Sequence, residues 1–429
     1  MIEALDGRYV MPGPSGAPTR TGPDILPSGR NYYGLDPATI PSISSWEIGR
    51  RNADLMLEKH KSEKGSYPRQ VGIIIWATDT LKTNGEDIAY ILWLMGIRPI
   101  WTGTTVTGLE VIPLEELGRP RIDVSIRITG LFRDVFGNLI ELLDEAVGMA
   151  SELDEDEENN ALAANYRKEV AENIASGIAE DTARRNASLR IFGCAPGTYG
   201  SGMNKSIESG QWEDLGDLAK QYADWGSFAY GKGVDGKKMT QQFGIRFGTC
   251  QAIVKNMPDK EIGLVDMDDV YGYLGGMTAF VKSAGNEEVS AYVGDTSDSS
   301  SIKVRSSSDA LKLTFRSQIQ NPKYIQGLMK HGYAGVNEIA KFTGYLFGWD
   351  ATSDNMEKWM YDGLAESYLL NDEVYQWMRS ENPFAAMNMV KILEEAINRE
   401  MWDADDDMKE RLEDIYMDLE GLVEELTDK

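Results

Sequence analysis

Histidine and cysteine are nearly missing from this chain: its 429 residues hold two of each, His60 and His331, Cys194 and Cys250. Zinc and most transition-metal sites draw on clustered Cys and His. Neither histidine has a Cys or His neighbour in sequence, so a compact metal motif is excluded. A Ser-His-Asp or Cys-His catalyst would have to recruit one of these two histidines, and no G-x-S-x-G elbow accompanies them. No apolar run reaches the roughly 18 residues that a bilayer span requires. The opening MIEALDGRYV lacks a basic region followed by an apolar signal segment. The expectation is a cytoplasmic protein without a membrane span, in a compartment that keeps free thiols reduced. Positive charge is scarce too: 43 basic residues against 69 acidic give a formal charge of -26. That balance argues against nucleic acid and anionic membrane as partners.

A nucleotide loop is also lacking. The nearest candidate, CAPGTYGSGMNKS, ends in Lys205 and Ser206, but Asn204 and Tyr199 stand where a Walker loop requires glycine. If ATP is used, it is hydrolysed elsewhere.

What is present describes a folded protein. Hydrophobic residues make up 42% of the chain, with ten Trp, nineteen Tyr and eleven Phe, enough for a substantial core. Residues 1–45 carry seven prolines among many glycines, which excludes a long helix and predicts an extended segment. Tyr9, Val10, Ile25, Leu26, Tyr32 and Tyr33 are its candidate anchors along a surface. Residues 46–158 read as a first α/β domain: a helix over about 46–60, the β-branched strand VGIIIWAT, the helix GEDIAYILWLMGI, the strand IDVSIRIT and the helix NLIELLDEAVGMASEL. The acidic run ELDEDEE, Glu152 to Glu158, marks a surface boundary.

Residues 159–320 read as a second α/β region, with one helix over about 160–186, a helix near 212–222, and short strands at RIFG, QAIVKN and VSAYVGDT. From 321 to 429 helical periodicity takes over. In the last helix Met408, Leu412, Ile415, Leu419, Leu422 and Leu426 form one apolar stripe, read as core packing. The fold class expected is α/β, parallel-sheet layers with flanking helices and right-handed crossovers, followed by a mainly helical C-terminal region.

The segments DGRYVMPGPSGAPTR and PDILPSGRNYYGLDPATIPS, then YPRQVGIIIWATDTLKTNGEDIAYILWLMGIRPIW, RIFGCAPGTYGSGMN, NPKYIQGLMKHGYAGVNEI and FGWDATSDNMEKWMYDGLAESYLL, resemble in order and spacing the carboxy-terminal part of the large, tetrapyrrole-binding subunit of cobaltochelatases and magnesium chelatases, nearer the cobalt type. The resemblance covers essentially the whole chain. It implies a subunit that holds a tetrapyrrole while a divalent metal, cobalt or magnesium, is inserted as substrate. The partners it implies are AAA-type ATPase chelatase subunits that use the ATP, and the amino-terminal portion of the large subunit. The chain departs from the cobalt-type pattern at NMPDKEIGLVDMDDVYGYLGGM, where Ile262 and Leu274 stand at positions expected to be histidine.

Metal insertion needs anchors for the ring's carboxylates, acceptors for the pyrrole protons and a donor of a partly dehydrated cation. Arg127, Arg133, Lys255 and Tyr199 with its Gly-rich turn are the substrate-binding candidates; structural ion pairing is the alternative for each arginine. Asp79, Glu86 and Asp87 follow the first strand, where open α/β sheets build their sites, and are the metal candidates, with Glu86 and His331 as catalytic candidates. A plain helix-start charge competes for Glu86 and Asp87, and a capping or core role for His331. Trp76 and Trp93 have the surface to stack on a macrocycle, against an ordinary core role. Two further readings stand beside the chelatase one: a non-catalytic tetrapyrrole-binding or assembly scaffold, and an unrelated α/β nucleotide-sugar enzyme.

Overall fold

The β-branched run at residues 70–75 forms a strand buried on both faces, as a strand covered by helices on both sides must be. In the computed structural model, which describes residues 2–14, 25–27 and 29–427, this strand lies near the middle of an eight-stranded sheet. Numbered along the chain, the strands are β1 (Gln70–Ile75), β2 (Asp123–Ile128), β3 (Ile191–Gly193), β4 (Phe228–Gly231), β5 (Val234–Lys238), β6 (Ala252–Met257), β7 (Ser290–Asp295) and β8 (Lys303–Ser306). Their order is β8-β7-β6-β1-β2-β3-β4-β5. Strands β7, β6, β1, β2 and β3 run parallel, while β4 and β5 add antiparallel pairs at one edge. The chain thus lays β2 and β3 on one side of β1 and later returns to lay β6 and β7 on the other. The order reverses between β1 and β6.

Two compact units divide the chain. Unit 1 holds residues 1–202, 219–261 and 280–305; unit 2 holds 203–218, 262–279 and 306–429. In unit 1, helix α1 (Ile43–Lys64) starts at Ser42, whose side chain accepts from Ser45 N, and stops at Gly65 with φ 85°. Gly49 lets α1 come close to the following helices: a Cβ there would stand 2.4 Å from the Glu86 carbonyl oxygen. After β1 come α2 (Ala77–Thr83) and α3 (Glu86–Met95), whose ten residues are all buried. A short helix, α4 (Gly130–Val135), follows β2, capped by Thr129.

The expected α/β class is the one observed. The expected single helix over 160–186 is two, Ala161–Ala175 and Glu180–Ser188, because Gly177 turns the chain at φ 85°. The acidic run 152–158 finds a partner: Glu155 accepts from the buried Arg121 at 2.8 Å. Of the expected N-terminal anchors, Ile25 is buried, whereas Tyr9 and Leu26 are exposed. Ile40 is the apolar side chain that closes the segment onto Gly85. Residues 15–24 and 28 of that segment lie outside the described residues.

Unit 2 is helical. It includes α5 (Met203–Ser209), α6 (Tyr333–Ser353) and α7 (Pro383–Asn398), and three π-helical turns at Tyr271–Gly275, Phe315–Ile319 and Ala365–Leu369. In the last helix, Asp406–Thr427, Leu412 and Leu419 of the predicted stripe are buried, while Leu426 at the chain end is exposed. No helix among the described residues is long and apolar enough to cross a membrane.

Candidate functional site

Parallel strands direct their carboxyl ends to one edge, and where strand order reverses the two flanking loops diverge and leave room for side chains. Here that place lies between β1 and β6. Lys255, the fourth residue of β6, reaches back with its ammonium 2.6 Å from Asp79 Oδ2 in α2, donates to the Asn256 carbonyl oxygen at 2.5 Å, and sits 4.5 Å from the centre of the Trp76 ring. The next residue, Asn256, donates from Nδ2 to Asp87 Oδ1 at 2.7 Å and accepts from Asn52 Nδ2 of α1 at 2.9 Å. Thr296, just past β7, donates to Glu86 Oε2 at 2.7 Å. All of these polar residues are buried.

The charges are unequal. Three buried carboxylates, Asp79, Glu86 and Asp87, meet one buried ammonium. Burial pushes the Asp87 carboxyl up to about 6, and the nearby charge of Asp79 adds to this, against the lowering effects of Lys255 and of the Asn256 hydrogen bond. At the rim Lys82 pairs with Asp259 at 2.8 Å and Glu261 at 3.5 Å. Burial lowers the Lys82 ammonium, but the Asp259 hydrogen bond and the surrounding carboxylates raise it overall. The cluster can store or release a proton at Asp87 close to neutral pH, and attracts positive charge.

Four of the eight sequence candidates, Asp79, Glu86, Asp87 and Lys255, therefore come together. Lys255 is spent on Asp79 within the protein interior rather than on an open surface. Among the described residues no three His, Cys, Asp or Glu side chains converge as a group able to hold a metal ion. Asn52, Asn256, Thr296, Lys82 and Asp259 complete the network and were not singled out in sequence. Only the position of Asn256 beside Lys255 in QAIVKN offered a signal.

A second group gathers at the carboxyl-terminal ends of β2 and β3 and the turns that follow them. Arg127, fully buried in β2, lies 5.4 Å from the centre of the Tyr222 ring and against Gly226, where a Cβ would stand 3.1 Å from its guanidinium. Arg133 of α4 donates from Nη1 to the carbonyl oxygens of Ala195 (2.7 Å), Thr198 (3.2 Å) and Cys194 (3.4 Å), and from Nε to Asp134 at 2.7 Å. It thereby ties down the turn that carries Tyr199. Tyr199 is exposed and donates to Asp134 Oδ2 at 2.8 Å, with the Arg133 guanidinium 5.5 Å from its ring centre.

His331 lies in unit 2, exposed, between the helix Pro322–Met329 and α6. The other histidine, His60, is a buried ring against Tyr292, its Nδ1 3.3 Å from the phenol oxygen. Trp93 donates to Asp54 Oδ1 at 2.6 Å, with the guanidinium groups of Arg50 and Arg119 at 5.3 and 5.2 Å from its ring centre. Leu274 is buried in a π-helical turn of unit 2.

Residues 1–409 match the family described as CobN/Magnesium Chelatase. The aerobic cobaltochelatase subunit CobN of Pseudomonas aeruginosa is 41% identical over 98% of this chain and 34% of its own length. The chloroplastic magnesium-chelatase subunit ChlH of Oryza sativa subsp. japonica is 35% identical over 98% of this chain and 30% of its own. The solved catalytic subunit of cobaltochelatase from Mycobacterium tuberculosis superposes with a TM-score of 0.93 at 38% identity, covering 98% of this chain and 35% of that one. The chain thus spans about a third of the length of these relatives.

Proposed function

The chain belongs to the CobN/magnesium chelatase family, and from that premise we propose that it forms one wall of a shared pocket in which a divalent metal, cobalt in this reading, is inserted into a tetrapyrrole. The metal is a substrate. ATP is used by AAA-type partner subunits, and the amino-terminal portion of the large subunit supplies the rest of the pocket.

The observation that carries this reading is the buried Asp79–Lys255–Asn256–Asp87 network at the strand-order reversal. Insertion of a metal releases the protons of two ring nitrogens, so the site must take up protons near neutral pH. A carboxyl raised to about 6 does this reversibly: it is mostly ionised at pH 7, yet close enough in pKa to accept a proton and pass it on. Glu86, held by Thr296, is the neighbouring carboxylate through which such a proton leaves. In this reading Arg133 and Tyr199 shape a rim beyond β2 and β3, and the carboxylate excess favours approach of a cation.

The test is reconstitution: this chain, the amino-terminal portion, the ATPase partners, ATP, a metal-free tetrapyrrole and cobalt or magnesium, followed by the absorption bands of the ring. Appearance of the metallated spectrum, slowed in an Asp87→Asn variant and with its lower pH limb moved, is the expected result. An unmetallated ring after long incubation with both metals overturns the reading.

A further inference from the structure

Parallel strands have two ends, and at the amino ends of β1 and β6 unit 1 carries a pocket of about 210 Å³. Gln70, which opens β1, and Gln251, just before β6, both line it. Asp79, Glu86 and Asp87 follow the carboxyl end of β1, so this pocket lies at the other end of the sheet from them. Pockets for drug-sized ligands span about 300–1,000 Å³, and this one takes something smaller.

The inner lining belongs to a buried set of four charges. Arg190 donates to Asp123 Oδ1 at 2.7 Å, and Asn165, a lining residue, donates to Asp123 Oδ2 at 2.8 Å. Arg246 and Glu169, which also line the pocket, are joined from Nη2 to Oε2, and Arg246 Nε donates to the Leu189 carbonyl oxygen at 3.0 Å. All four charged residues are buried. Their charges cancel, yet two of their atoms stay open. Arg246 Nη1 has no acceptor among the described residues, and Glu169 Oε1 has no donor. Buried polar atoms without partners are costly, so an open donor and an open acceptor in one pocket lining point to a bound group that supplies both.

The mouth repeats this pairing of signs. Lys168 and Glu172, one turn apart on the helix Ala161–Ala175, line the pocket and are exposed. Neither forms an ion pair among the described residues. The guanidinium of Arg69 is already held by Glu157 at 2.8 Å. Between the charges stand the amides and hydroxyl of Gln70, Gln251 and Thr249, with Ile245 for apolar contact.

We propose that this pocket binds a free α-amino acid with a short polar side chain. Arg246 Nη1 and Lys168 receive its carboxylate. Glu172 and Glu169 Oε1 receive its ammonium, and the amides and hydroxyl of the lining pair with its side chain. A plain anion would satisfy the two cations and leave both carboxylates facing it; a plain cation would do the reverse. A zwitterion matches both halves at once. Binding needs no ring, metal or partner subunit, so it stands apart from the chelatase reading.

Isothermal titration of the full chain with L-glutamine, L-asparagine, L-serine and L-leucine tests this, together with the melting temperature. Saturable binding of at least one of the three polar amino acids is expected, with a melting temperature that rises with its concentration. Leucine should bind more weakly, because its side chain leaves the polar lining unpaired. N-acetylation of the bound amino acid, which removes its ammonium, should weaken binding roughly tenfold or more, and so should conversion of its carboxylate to an amide. Lys168→Glu and Glu172→Lys should each have a similar effect, with circular dichroism unchanged. Lys409→Glu, an exposed lysine outside the pocket lining, serves as the control and should bind as the parent does.

Absence of binding by all three polar amino acids overturns the proposal. Phosphate binding as tightly as the amino acid, or blocked derivatives binding as the free one does, reduces the pocket to a simple ion site and overturns it too. Unaltered affinity in both the Lys168 and Glu172 variants has the same consequence.

Discussion

The Lys255 ammonium and the Asp79 carboxylate meet at 2.6 Å across the point where strand order reverses, one carried by β6 and the other by α2, and both are buried. A buried pair of this kind is costly to break from one side, because the remaining charge has no water to turn to. Lys255→Met should therefore destabilise unit 1 by about 3–5 kcal/mol. Adding Asp79→Asn should recover part of that loss. Urea unfolding of the two single variants and the double variant measures the coupling, and purely additive effects would contradict it.

Asp87 sets a pH dependence whose sign follows from its environment. Its folded-state carboxyl is raised to about 6 from an ordinary 3.8. The stability it contributes is fully present below the unfolded value and is lost as pH rises through 6. Asp87→Asn removes the cost of the buried charge, so the variant should gain on the parent between pH 4 and 7, by on the order of 2–3 kcal/mol at the upper end. A stability difference that stays flat over this window counts against the assignment.

Gly294 of β7 is required by contact. A Cβ there would stand 2.2 Å from Asn256 Oδ1 and 2.9 Å from the Asn52 side chain. Gly294→Ala should cost about 1–3 kcal/mol through overpacking. It should also disturb the hydrogen bond from Asn256 to Asp87, so that the metallation pH profile of the reconstituted enzyme moves. Parent-like stability would mean the network yields more easily than its packing implies.

Arg133 holds the turn 194–198 through three carbonyl oxygens. Arg133→Ala should lower stability by about 1.5–3 kcal/mol, the range for hydrogen bonds to a charged group. It should also make the turn around Tyr199 an early site of limited proteolysis. Arg133→Lys, which keeps charge but loses the guanidinium fork, should restore only part of this. Full recovery by lysine would show that charge, not geometry, is what the turn needs.

His331 is exposed in unit 2. His331→Ala should leave stability within about 0.5 kcal/mol of the parent, as for surface changes elsewhere. A fall in metallation rate with intact folding would then mark a chemical role for the imidazole, and an unchanged rate would remove it from the candidates.

The sequence by itself determined the local vocabulary. Runs such as VGIII and IDVSIRI have the β-branched, two-face apolar character of buried parallel strands, and DIAYILWLM, with acidic residues in its first turn, reads as a helix; both are seen, and the complete burial of that helix came only with the fold. That Asp79, Glu86 and Asp87 follow directly on the first strand, beside its carboxyl end, was legible as well. Proximity across the fold was not legible. Lys255 lies 176 positions from Asp79, and Asn52 lies 204 positions from Asn256. Whether Lys255 faces a ligand or a buried carboxylate depends on which strand β6 pairs with, and no local pattern encodes that. The edge strands Phe228–Gly231 and Val234–Lys238 were missed because they are short and glycine-punctuated and owe their existence to pairing with β3. Likewise the sequence supplies Lys168, Glu169 and Arg246, but only packing of helices distant along the chain makes them the walls of one pocket. Side-chain chemistry is written residue by residue, whereas burial, which raises Asp87, is a property of everything folded around it.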